Sequence, residues 1–200
     1  MPNHCYNQLY VMGEPSDLDQ FLAKVDNAFE RFGMPEEGRF TFTAFVPYPD
    51  NVLMGASGSG SFIRRSGVWE STSMSYEEAK SEGLEFYRGT YCKDSSGIAY
   101  TKPEMEEKSL VDWYSWNLDN WGTKWDAYSI DVERTQDNQL TIRFDSAWAP
   151  PTPVIHAMQE QHPELSITLE FEEPGMMFRG EIHEDGTEFT EDYEEEVEYA

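Results

Sequence analysis

Positive charge is what this sequence most lacks. Fourteen Lys and Arg face 39 Asp and Glu, for a formal net charge of −25. At ordinary ionic strength such a field repels phosphate backbones and anionic lipid headgroups. Direct binding to nucleic acid or to a membrane surface is therefore not expected, and basic protein surfaces become the favoured partners. Cysteine is nearly absent as well. Cys5 and Cys92 are too few and too far apart for a disulfide framework, and no C-x-x-C occurs, so two reduced thiols are expected. No apolar run approaches the roughly 20 residues of a transmembrane helix. The opening MPNHCYNQLY has neither the charged nor the apolar region of a signal peptide, so a cytoplasmic location is expected.

Motifs that carry chemistry are missing too. Gly55–Ser61, GASGSGS, lacks the Lys-Ser/Thr ending of a phosphate loop and reads as a flexible loop. No serine sits in G-x-S-x-G, and neither cysteine has a local signature that would activate it. His4, His156, His162 and His183 share no metal-ligand spacing, leaving a convergence of His4 with Cys5 and Cys92 as the one arrangement to consider. No cofactor, metal or catalytic residue is expected, and no reaction can be named. With 39 acidic residues, choosing two as acid and base would be selection without evidence.

What the chain does have is aromatic bulk: twelve Phe, eleven Tyr and six Trp offset an apolar fraction of 38% and predict an aromatic-heavy core. Its 200 residues suit one domain with elaborations. CYNQLYVM reads as a strand, and a Gly-Glu-Pro turn leads to Ser16 as helix N-cap. Leu18, Phe21, Leu22, Val25, Ala28, Phe29 and Phe32 then recur at helical spacing until Gly33. Phe40–Val46 alternates as a strand. Pro47–Ser75, rich in Pro, Gly and Ser, reads as a mobile insertion.

A short helix at 76–83, a strand at 84–91 and a helix from Pro103 to about Asn120 follow. Tyr128–Arg134 and Gln139–Trp148 form a hairpin through TQDN. Thr152 caps a helix beginning at Pro153, and Leu165–Phe171 alternates as a strand. The order contains β-α-β-β-α-β, so the expected class is α+β, a ferredoxin-like sandwich. It would occupy residues 1–180, with an insertion after the first helix at about 47–100 and an acidic C-terminal extension at 181–200.

Three stretches carry a family resemblance: MPNHCYNQLYVMGE at the start, DWYSWNLDNWGTKWDA in the middle, and FDSAWAPPTPVI followed by LEFEEPGMMFRGE near the end. They resemble the Api92-like family of phage and plasmid proteins. That resemblance implies a ferredoxin-like C-terminal part and an origin on a mobile element in a bacterial host. It supplies no activity and no catalytic residue.

Two candidate sites remain. Residues 181–200 hold ten acidic side chains and no Lys or Arg. Within them Glu184, Asp185, Glu188, Glu191, Asp192, Glu194, Glu195, Glu196 and Glu198 are the expected partner-binding carboxylates. Phe189, Tyr193 and Val197, at i, i+4 spacing, suggest a helix or a segment packed on the domain. The reading is a noncatalytic decoy that resembles DNA in charge and occupies a basic protein, one that binds nucleic acid or serves as a defence factor. The bland reading is a solvated acidic tail.

The other candidate is a small-ligand pocket, or the site of an enzyme, around Trp121, Lys124 and Trp125. There the indoles would stack on a ring or cation and Lys124 would hold an anion. The bland reading makes both Trp residues core, after a Gly122 helix stop. An RNA-recognition reading of the sheet fails for want of the aromatic-basic strand signature.

Overall fold

A computed structural model describes residues 3–32 and 40–193, with side chains 26–32 left out. Along the chain run β1 (His4–Met12), α1 (Pro15–Phe32), a 3-10 turn (Phe42–Ala44), β2 (Val52–Leu53), β3 (Ser57–Arg65) and β4 (Val68–Ser71). Next come α2 (Tyr76–Ser81), β5 (Glu85–Lys93), β6 (Ala99–Thr101), α3 (Lys102–Glu107), β7 (Val111–Asp112) and α4 (Trp113–Asn120). Then follow β8 (Tyr128–Gln136), β9 (Gln139–Ala147), α5 (Thr152–Gln161), β10 (Ser166–Glu173), β11 (Phe178–Ile182) and β12 (Glu188–Asp192). The chain divides into two compact units, one of residues 1–47 with 117–200 and one of residues 48–116.

The first unit is built on an antiparallel sheet of six strands in the order β12-β11-β10-β1-β9-β8. Its middle strands alternate strictly: Cys5, Asn7, Leu9 and Val11 of β1 point inward, while His4, Tyr6, Gln8 and Tyr10 point out. Leu140, Ile142 and Phe144 of β9 and Ile167, Leu169 and Phe171 of β10 join the inward face. Leu18, Phe21 and Val25 of α1 and Val154, Ile155 and Met158 of α5 are buried with them. Proline opens α1 at its first position, one residue before the expected cap Ser16, and α5 likewise has no side-chain cap from Thr152. Burying apolar faces of this kind stabilises by roughly 25 cal/mol per Å².

Phe40–Val46 is not the expected strand. Phe40, Phe42 and Phe45 are all buried, so the segment coils into the 3-10 turn and sends its rings to one core instead of to alternate faces. Phe42 and Phe40 meet Phe144 at centroid separations of 5.8 and 5.0 Å. The carboxylate of Asp126 fixes the start of the turn, accepting from the Phe42 backbone N–H at 2.7 Å and the Thr41 hydroxyl at 2.5 Å.

The second unit corrects another expectation. GASGSGS is not a flexible loop, because Ser57–Ser61 is the first half of β3, paired antiparallel with β5 from Ser57↔Cys92 onward. Together β3, β4, β6 and β5 close into a small barrel. Small residues suit that half of β3, where the Phe62 and Tyr91 rings crowd Gly60. The helix expected from Pro103 to Asn120 is broken. Ser109 takes a left-handed φ of 54°, and Asp112 accepts the Ser115 N–H to begin α4 afresh.

Among the described residues, no helix is long and apolar enough to cross a membrane.

Candidate functional site

The outward face of the six-stranded sheet carries an ordered set of charged side chains. Pairing register aligns two rows of side chains across it. One row runs Glu191, Arg179, Glu172, Tyr6, Asp145, Tyr128; the next runs Phe189, Glu181, Glu170, Gln8, Arg143, Asp131. Neighbouring strands lie about 4.8 Å apart, so the rows form continuous stripes. They line a broad concavity of about 680 Å³ that includes Tyr6, Gln8, Glu170, Glu172 and Arg179. Six carboxylates and two guanidiniums share the two rows.

Both arginines are engaged. Arg143 pairs with Asp131 at 3.1 Å and Glu133 at 3.3 Å, and Arg179 with Glu191 at 2.6 Å. Arg179 also lies over the Tyr193 ring, 5.6 Å from its centroid. Tyr193 donates its hydroxyl to Glu172 at 2.6 Å. That hydrogen bond, with burial and the charge of Glu172, pushes the Tyr193 phenol up to about 12.

Glu170 accepts from the Tyr10 hydroxyl at 3.2 Å. Burial, then the charge of Glu170, raises the Tyr10 phenol. Among the described residues, Glu170, Glu172, Glu181 and Asp145 have no Lys or Arg in an ion pair. Asp145 has His4 at 3.8 Å, and Glu181 has His183 at 3.9 Å. The surface is thus a set of carboxylates positioned by backbone register and only partly neutralised from within.

The expected partner-binding residues fall differently. Glu188, Glu191 and Asp192 belong to β12, a strand and not the helix suggested by the spacing of 189 and 193, because the segment satisfies its backbone against β11. Gly180 permits this pairing: a Cβ there would lie 2.1 Å from the Phe189 carbonyl oxygen. Of the expected residues, Glu191 is the one on the two outward rows. Glu188 and Asp192 stand opposite Ile182 and Phe178. Glu184 accepts from the Ser166 hydroxyl at 2.6 Å, while Asp185 holds the β11–β12 turn through the N–H and hydroxyl of Thr187. Those bonds lower the Asp185 carboxyl. Glu194, Glu195, Glu196 and Glu198 lie outside the described residues.

Trp121 and Trp125 differ sharply in exposure. Trp121 is 1% exposed, donates its indole N–H to the Val46 carbonyl at 2.9 Å and packs edge-on against Phe42. Its ring is core and cannot receive a ligand. Gly122, at φ 77°, turns the chain after α4 where a side chain would press on Pro153. Lys124 lies over the ring of Trp125, 4.8 Å from the centroid, and Trp125 is 38% exposed. Cys5 and Cys92 are buried in separate units, and burial pushes their thiols up to about 12 and about 11.

Sequence reasoning concentrated on the tail and missed Tyr6, Asp145, Glu170 and Glu172. The signal was present: acidic residues occupy alternate positions of LEFE, the outward half of a strand whose other half is apolar.

Residues 124–200 match a family model described as the ferredoxin-like domain in Api92-like protein. Over this span the chain is similar to the Api92-like family. The matched span holds β8, β9, α5, β10, β11 and β12, and it contains both C-terminal motifs that carried the resemblance. β1, seated between β9 and β10 of the same sheet, precedes it. Among solved structures, the chain is similar to the crystal structure of a protein api92 from Yersinia pseudotuberculosis. The two share 13% identity over 97% of this chain and 99% of that one, with a TM-score of 0.47. No curated protein matches the chain.

Proposed function

We propose that this is a noncatalytic interaction protein of a phage or plasmid, which binds a basic protein of the bacterial host cytoplasm through an acidic sheet surface. The partner is a protein that itself binds nucleic acid, or a defence protein, and the chain acts as a decoy for its basic site. In this reading β1, α1, β8, β9, α5 and β10 are the ferredoxin-like frame. The 48–116 unit is then the insertion after α1, and residues 181–200 are the acidic extension.

The observation that carries the proposal is where the charge sits. Residues 1–47 and 117–200 hold 28 Asp and Glu against seven Lys and Arg, whereas residues 48–116 hold eleven against seven. Charge that served solubility alone would have no reason to concentrate in one unit. Ten of those 28 stand on strands of the sheet, where successive outward carboxylates lie about 6.7 Å apart along a strand and about 4.8 Å apart between strands. Duplex DNA presents one charge per roughly 1.7 Å of axis, and a two-row carboxylate face offers the same sign to the same kind of basic surface.

The test is a pull-down from host lysate at low and high salt. It compares the full chain with a variant of the same length carrying Glu170→Gln, Glu172→Gln, Glu181→Gln and Glu191→Gln, all on the two outward rows. The proposal expects nucleic-acid-binding proteins of high pI, retained by the full chain at low salt, released at high salt and lost from the variant. Equal retention by both chains would sink it.

A further inference from the structure

We infer that Tyr6 is an anchor for an arginine side chain of the basic partner, with Asp145 and Glu172 as the flanking carboxylates. This rests on the acidic-partner reading above and adds to it a chemical preference for arginine over lysine.

Tyr6 stands opposite Glu172 on β10 and opposite Asp145 on β9, so one exposed ring lies between two carboxylates on adjacent strands. Strand spacing puts the two acidic positions about 10 Å apart, with the ring midway. Tyr6 is 52% exposed and opens on the concavity, and its hydroxyl makes no hydrogen bond among the described residues. Asp145 is recessed, with a side chain 18% exposed, and the His4 imidazole lies 3.8 Å from its carboxylate. Glu172 has one oxygen on the Tyr193 hydroxyl. An aromatic face between two incompletely paired carboxylates suits a planar cation that stacks and donates in its own plane. Guanidinium does both, whereas an ammonium is a compact, strongly hydrated point charge.

The protein uses the same arrangement internally. On this face Arg179 lies over the Tyr193 ring at 5.6 Å while pairing with Glu191 at 2.6 Å. In the other unit Arg64 lies over Trp69 at 5.6 Å and pairs with Glu104 at 3.3 Å. At Tyr6 the ring and the carboxylates are in place and no cation of the described chain stacks on them. The partner chemistry that completes this site is an arginine presented from a basic surface.

The experiment is calorimetric titration of the full chain, at low salt, with a ten-residue peptide alternating Arg and Ala and with its Lys twin. The arginine peptide is expected to bind about fivefold more tightly. Tyr6→Ala is expected to abolish that preference, and Tyr6→Phe, which keeps the ring, to retain it. Asp145→Asn with Glu172→Gln is expected to weaken the arginine peptide more than Glu188→Gln with Asp192→Asn does. If both peptides bind equally, or Tyr6→Ala leaves the preference unchanged, the anchor is wrong while the acidic-partner reading stands. If neither peptide binds the full chain, both fall. Tyr6→Phe guards against a Tyr6→Ala effect that comes only from misfolding.

Discussion

The hydroxyl of Tyr193 donates to Glu172 at 2.6 Å, tying the residue just past β12 to β10, two strands inward in the sheet. The Tyr193 N–H adds a bond to the Met177 carbonyl at 2.9 Å. The end of the described chain is thus fastened to the sheet, and the carboxylates of β12 keep fixed positions beside those of β10 and β11. Because the bond stabilises the neutral phenol, Tyr193 titrates late, at about 12. The folded state holds that proton where the unfolded chain has lost it. Its contribution is therefore complete below the ordinary tyrosine range and fades as pH rises toward about 12. Tyr193→Phe should remove one late-titrating phenol from an ultraviolet pH titration, and should raise amide exchange in Phe178–Asp192 more than elsewhere.

Asp126 organises the far side of the same unit. Its carboxylate takes the N–H groups of Phe42 and Ala127 and the Thr41 hydroxyl, and burial raises it above the usual carboxylate range against those bonds. Asp126→Ala should cost about 2–3 kcal/mol in urea unfolding, since the Phe42 N–H and Thr41 hydroxyl lose their acceptor. A raised carboxyl means the folded state binds more protons than the unfolded one. The Asp126 contribution should therefore fall as pH rises from the ordinary Asp range through its raised value, and the fall should vanish in Asp126→Ala.

The two tryptophans of NWGTKWDA should separate cleanly in stability. Trp121→Ala removes a fully buried ring and its bond to the Val46 carbonyl, and should cost about 3–5 kcal/mol. Trp125→Ala removes a surface ring stacked with Lys124 and should cost about 0.5 kcal/mol. Urea denaturation of both variants checks the difference.

Both thiols should be inert in the native protein. Cys5 and Cys92 are buried and their thiols stand at about 12 and about 11, so almost no thiolate exists at neutral pH. A thiol-specific reagent should label neither in native buffer, and both in strong denaturant.

Much of this fold was legible, because strands with one buried face and helices with one apolar stripe write their geometry into residue spacing. β1, the β8–β9 hairpin, α5 and β10 follow from alternation and turn chemistry. The 3-10 turn at Phe42 did not, because three buried rings in Phe40–Phe45 mimic a strand until the partner of Asp126 is known. β3 was hidden because Gly and Ser, which read as a loop, are what the crowding of Phe62 and Tyr91 around this strand admits. The candidate site was half legible. Composition pointed to acidity and to the tail, but the rows that join Tyr6, Asp145 and Glu172 depend on pairing between residues 139 and 166 positions apart, which no local pattern encodes.

On the proposed function, the acidic face stands in for nucleic acid on a basic partner. The most direct measurement takes the protein captured from lysate, saturates it with a fluorescent DNA duplex and adds the full chain while following anisotropy. The chain should displace the duplex, displacement should weaken steeply as salt rises, and the four-fold Glu→Gln variant should be at least about tenfold less effective. A partner that holds duplex and chain together, or a chain that displaces DNA equally well after its face is neutralised, would contradict it.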